Sequence, residues 1–150
     1  MDRLEMVNAL NDLLTRNHDA KEGYVEAGND VSDAMLRQWL FDNSEKRTLY
    51  INEIQNQVKI LRGTPDHGSS FLGALHRAWI DFKSNLADGD VVVLEECIRG
   101  EERALEDYDK VIEEVRMTTE ITNVLRRQRR NIQDSLNALR AIEETFKVAQ

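Results

Sequence analysis

Apolar residues recur every three or four positions along most of the chain, the period at which a helix buries one face. The first stripe, Met6, Leu10, Leu13, Ala20, Tyr24 and Ala27, predicts a helix from about Asp2 to Ala27. It closes at "AGND", where Gly28 or Asn29 is expected to take a left-handed terminal conformation. Asp30 or Ser32 then caps a second helix, which runs to about Arg62 on Leu36, Leu40, Ile51, Ile54, Val58 and Leu61. "RGTPDHGSS" ends it, because Gly63, Pro65 and Gly68 favour turns. A shorter helix follows in "SFLGALHRAWIDFKSNL", with Leu72, Leu75, Trp79, Phe82 and Leu86 on one face. After "ADGD", with Asp90 as the expected cap, a third long helix spans Val91 to about Val115 on Leu94, Ile98, Leu105, Tyr108 and Ile112. "RMTTEIT" has neither Gly nor Pro, but its β-branched cluster, with Thr119 as cap, marks a turn rather than a continuous helix. The last helix carries Ile121, Leu125, Ile132, Leu139, Ile142 and Phe146.

Length turns these elements into a topology. A helix of about 25 to 30 residues reaches roughly 40 Å. Short loops join the first long helix to the second and the third to the fourth, so each pair is an antiparallel hairpin. The stretch from Gly63 to Gly89 is too long for a turn and long enough to climb back along the bundle. The expectation is one all-α domain over residues 1–150, a ferritin-like four-helix bundle with a long helical crossover between its second and third long helices. His76 and Trp79 share a face of the crossover helix, which should dock on the bundle through Leu75, Trp79 and Phe82.

Several stretches carry a family likeness: "LNDLLTRNHDAKEGYVEAGNDV", "SEKRTLYINEI", "GALHRAWIDFKSNL" and "RGEERALEDYDKV". Over about residues 10 to 115 the chain resembles a bacterial family of ferritin-like four-helix bundles whose function is unassigned, with the HRAW segment the most distinctive. "RRQRRNIQDSLNALR" resembles the family's closing helix through Gln128 and Ile132, while Leu136 stands where that helix usually has a histidine. The resemblance implies the fold and brings no activity with it.

Composition narrows the function classes. A net charge of −8 disfavours general binding to nucleic acid or to anionic membrane. The lone Cys97 has no intramolecular disulfide partner, which fits a reducing compartment. "MDRLEMVNAL" has acids where a secretory leader needs basic residues, and no apolar run reaches the length of a membrane span. A soluble, cytoplasmic protein is expected.

The chemistry worth weighing lies where the stripes lapse into polar residues. They do so at Asn17 and His18 in the first helix, at Asn43, Ser44 and Arg47 in the second, at Glu101 in the third, and at Gln128 and Ser135 in the fourth. Hairpin geometry sets position 17 level with 43, and 101 level with about 133, which predicts a polar layer near mid-height. Ferritin-type bundles keep di-metal ligands at that height: a Glu from each of two helices and a Glu-x-x-His pair from each of the other two. No Glu-x-x-His occurs in this sequence, and Arg47 would add a permanent positive charge where two cations should sit. In "EECIRGEERALEDYDK" only Glu101 falls on the buried line, and the other carboxylates face water. The expectation is a layer without metal or other cofactor, in which Arg47 pairs with Glu101 while Asn17, Asn43 and Gln128 complete the hydrogen bonds.

Two further features read as structural. Residues 88–115 carry three basic and eleven acidic residues, and residues 116–150 carry seven basic and four acidic, so "RRQRR" should pair with the acidic helix beside it rather than with phosphates. Cys97 reads as a small core filler. The leading functional expectation is a non-enzymatic structural or interaction module that associates with itself or with a protein partner, and not with nucleic acid or membrane. The alternative is an atypical di-metal carboxylate protein with metal-binding or oxidoreductase activity. A nucleic-acid or anionic-ligand binder built on the arginine cluster is the third and weakest class.

Overall fold

The computed structural model describes residues 2–66 and 89–149, and these are helical apart from short turns. The four helices among them are α1 (Arg3–Asp30), α2 (Ala34–Ile60), α3 (Asp90–Glu114) and α4 (Thr119–Val148). They close a ring in which α1 packs on α2 and α3, and α4 packs on α3 and α2. The expected short helix of the connection, with Leu75, His76, Trp79 and Phe82, lies outside the described residues. No described helix is long and apolar enough to cross a membrane.

Three of the four helices, α1, α2 and α4, start on a side-chain cap that satisfies otherwise orphaned amides. The Asp2 carboxylate accepts from the amides of Leu4 and Glu5, Asp33 from Leu36, and Thr118 from Ile121. The second helix is therefore capped by Asp33, not by Asp30 or Ser32, and the fourth by Thr118 rather than Thr119. Val115 and Thr118 are extended, so a turn separates α3 from α4.

Asp90 corrects a further expectation. It is the first residue of α3, preceded by Gly89 at φ +92°, and caps nothing of its own helix. Its two carboxylate oxygens instead accept from the Ser32 and Asp33 amides, which pins the start of α3 to the α1–α2 turn. At the other end, Arg3 donates to the Leu61 carbonyl, and Asn11 holds the Thr64 carbonyl and the Asp66 amide. The chain thus leaves α2 at one end of the helices and enters α3 at the other.

"AGND" also behaves differently from the expectation. α1 continues through Gly28 and Asn29 to Asp30 and closes on an extended Val31, with no left-handed residue. The reason is packing. A Cβ on Gly28 would lie 2.5 Å from the Phe41 ring, so this glycine lets two helices approach and does not turn the chain.

The apolar stripes meet inside the ring. Leu10, Leu14, Leu40, Ile54, Leu94, Leu125, Ile132 and Leu139 are sealed from solvent, while Leu61, Ile112, Ile142 and Phe146 pack on the core from its edge. Burying each large apolar side chain stabilises the fold by about 1.5–3 kcal/mol, so these stripes dominate its energetics.

Candidate functional site

Midway along the helices the core turns polar. Arg47 and Glu101 are 2% and 3% exposed, and a guanidinium nitrogen of Arg47 lies 2.5 Å from Glu101 Oε1. Arg47 also donates to Asn17 Oδ1 at 3.2 Å and stands 5.8 Å from the centre of the Tyr50 ring. Asn17 donates to the Leu13 carbonyl and to the Tyr108 hydroxyl, each at 2.8 Å. That hydroxyl donates to Gln128 Oε1 at 2.7 Å, and Gln128 donates to the Tyr50 carbonyl and to Glu53. Glu53 finally accepts from Arg127 at the surface. One chain of hydrogen bonds therefore runs from Glu101 to Arg127 and touches all four helices.

The register differs from the expected one by about a helical turn. Asn17 meets Arg47, not Asn43. Asn43 sits one turn nearer the α1–α2 loop, where it accepts from Ser135 at 2.9 Å and donates to the Trp39 carbonyl. Ser44 donates to the Lys21 carbonyl, which ties α2 to α1. Gln128 lies level with Tyr108 and does not reach Glu101. Helix offset is set by how side chains interdigitate, which equal loop lengths cannot reveal. His18 is half-buried at the margin of this layer, and Leu136 is buried in the apolar core.

Three groups that the stripe pattern concealed complete the site: Tyr108, Tyr50 and Glu53. Tyr108 counted as an apolar periodic residue and Tyr50 lay off the expected stripe of α2, yet a phenol carries a hydroxyl that needs a partner when buried. Tyr50 stands three residues after the lapse at Arg47 and Tyr108 seven after that at Glu101, which was the available signal.

Electrostatics here follow from burial. Desolvation is the strongest single influence and works against the Arg47 charge, but Glu101 together with Tyr24, Tyr108 and Tyr50 outweighs it, and the guanidinium is held above its ordinary range. Burial raises the Tyr108 phenol, with partial relief from the Arg47 charge and the Asn17 hydrogen bond. Cys97 flanks the layer; burial, then Glu101 and Glu96, push its thiol up to about 12. Such a thiol stays protonated and unreactive at neutral pH, which speaks against redox sensing.

The donor set does not fit a di-metal centre. It offers two arginine-bound carboxylates, Glu101 and Glu53, with phenols and amides, and among the described residues no three His, Cys, Asp or Glu side chains converge as metal ligands. Two arginines of the cluster are in ion pairs, and only one of them reaches the acidic helix: Arg129 grips Asp109 of α3 with two nitrogens, while Arg127 holds Glu53 of α2. Farther along α4, Arg140 meets Glu102 of α3.

The sequence model of a domain of unknown function, DUF2383, matches residues 5–114. The chain belongs to the DUF2383 family. The match ends at the last residue of α3, so α1, α2 and α3 carry the DUF2383 signature while Gln128 and Ser135 lie beyond it. Asn17, Arg47, Glu101 and Tyr108 all fall within the DUF2383 match. No curated protein matches the chain.

Proposed function

We propose that this DUF2383 protein is a ferritin-like four-helix bundle that works as a structural or interaction module, with its mid-height layer serving as scaffold rather than as a metal centre. The observation that carries this reading is the Arg47–Glu101 pair, since it puts a fixed positive charge on the one inward carboxylate of α3. A buried polar network of this kind costs stability compared with apolar packing, yet it specifies register and pairing. The ferritin-like topology is supported by the pinning of Asp90 at the α1–α2 turn and of residues 61–66 near the start of α1. Self-association through the outer helix faces and a cytoplasmic setting belong to the same proposal.

Metal loading tests it. After exposure to ferrous iron, manganese or zinc and then desalting, elemental analysis should find less than about a tenth of an equivalent per chain, as expected without a converging ligand set. Two equivalents retained, and lost in Glu101→Ala, would replace this reading with a di-metal carboxylate protein.

A further inference from the structure

Three large apolar residues of α2 stand in water: Met35, Leu49 and Ile60 are 84%, 61% and 63% exposed. They are 14 and 11 residues apart, about four and three whole turns, so they share one line along the helix. Glu53 falls on the same line and reaches Arg127 of α4, which puts the line on the outer surface of the side formed by α2 and α4. A single exposed apolar residue needs no explanation, whereas three aligned from the first turn of a helix to its last mark a contact face.

Charge separates this side from the opposite one. α1 and α3 together carry sixteen acidic and six basic residues, and α2 and α4 carry seven and ten. Two copies related by a twofold axis present the same patch to each other. On the α1–α3 side that would set one excess of carboxylates against another, which is repulsive. Around the α2 line the charges balance, with Lys46, Arg127 and Arg130 against Asp42, Glu53 and Asp134. Spacing is self-complementary as well. Met35 and Ile60 lie almost equally far from the middle of α2, and Leu49 lies close to it. In an antiparallel contact of two α2 helices, Met35 therefore faces Ile60 of the other copy while the two Leu49 side chains meet near the axis. The side is about 40 Å long and two helices, or about 20 Å, wide, which offers roughly 800 Å² per copy, the size of a standard interface.

We propose that the α2–α4 side is the contact through which two copies of this chain form a twofold dimer, with their α2 helices antiparallel and packed about Leu49. The inference rests on the self-association reading and names the face that serves it.

Sedimentation equilibrium of the full chain and two variants tests it. The parent should dimerise, and Leu49→Glu, which sets two carboxylates face to face at the axis, should weaken the dimer at least about a hundredfold. Leu4→Glu, on α1, should leave the dimer unchanged. Both leucines are exposed, so neither substitution threatens the fold. A short bismaleimide cross-linker in a Cys97→Ala background reads the orientation. Leu49→Cys should couple to itself, and Met35→Cys should couple to Ile60→Cys only when the two variants are mixed. Dimers that Leu49→Glu leaves intact, or Met35→Cys coupling to itself, would overturn this contact and leave self-association standing. A chain still monomeric at about 1 mM would overturn both.

Discussion

Arg47 and Glu101, 54 positions apart in sequence, meet at 2.5 Å in an interior where neither touches water. Breaking such a pair leaves an uncompensated buried charge, so Arg47→Ala and Glu101→Ala should each destabilise by about 3–5 kcal/mol. Replacing both with apolar residues, as in Arg47→Met with Glu101→Leu, should cost less than either single change. Urea unfolding of the three variants and of exposed Arg126→Ala, expected within about 0.5 kcal/mol of the parent, checks this. Losses equal to that of Arg126→Ala would refute it.

Tyr108 joins Asn17 to Gln128 through one hydroxyl. Tyr108→Phe keeps the ring and leaves the Gln128 carbonyl oxygen without its donor, for a loss of about 1–3 kcal/mol. In Gln128→Leu that oxygen is gone, so the same Tyr108→Phe change should cost less. A double-mutant cycle reads the coupling, and strict additivity would mean that the hydrogen bond contributes nothing.

The glycines of α1 and α3 should respond to alanine with opposite signs. At Gly23 and Gly100 the new methyl enters open space, and each substitution should stabilise by about 0.4–1 kcal/mol through lower unfolded-state entropy. At Gly28 it meets the Phe41 ring, and overpacking should destabilise by about 1–3 kcal/mol. Thermal unfolding of the three variants decides it.

Alkali should unfold the protein from the pH at which its buried acids titrate in the unfolded chain. Cys97 rises from 9.0 to about 12 on folding, and Tyr24, Tyr50 and Tyr108 all rise from 10.0. The folded state therefore holds protons that the unfolded state releases, and unfolding free energy falls as pH rises. The stabilisation is intact below about pH 9 and is lost progressively towards 12 through the Cys97 contribution. Denaturant midpoints between neutral and alkaline pH check the slope. In the same protein, Cys97 should react with a thiol reagent at neutral pH much more slowly than an exposed cysteine, because burial keeps its thiol protonated and shields it.

Periodicity alone was enough to locate four long helices and most of their buried faces, though it passed over Val7, Leu14, Tyr50, Val93 and Leu136. A helix that must bury one side repeats its apolar residues at 3.6-residue spacing wherever it lies, so that information is local. The same pattern singled out Asn17, Arg47, Glu101 and Gln128, because a polar side chain on a buried stripe interrupts a rule that its neighbours obey. Who meets whom was not local. Asn17 reaches Arg47 instead of Asn43, Asp90 pins the neighbouring loop instead of capping its own helix, and Gly28 admits Phe41 instead of ending α1. Each of these depends on the axial offset and the spacing of two helices, which side-chain packing decides once both are present.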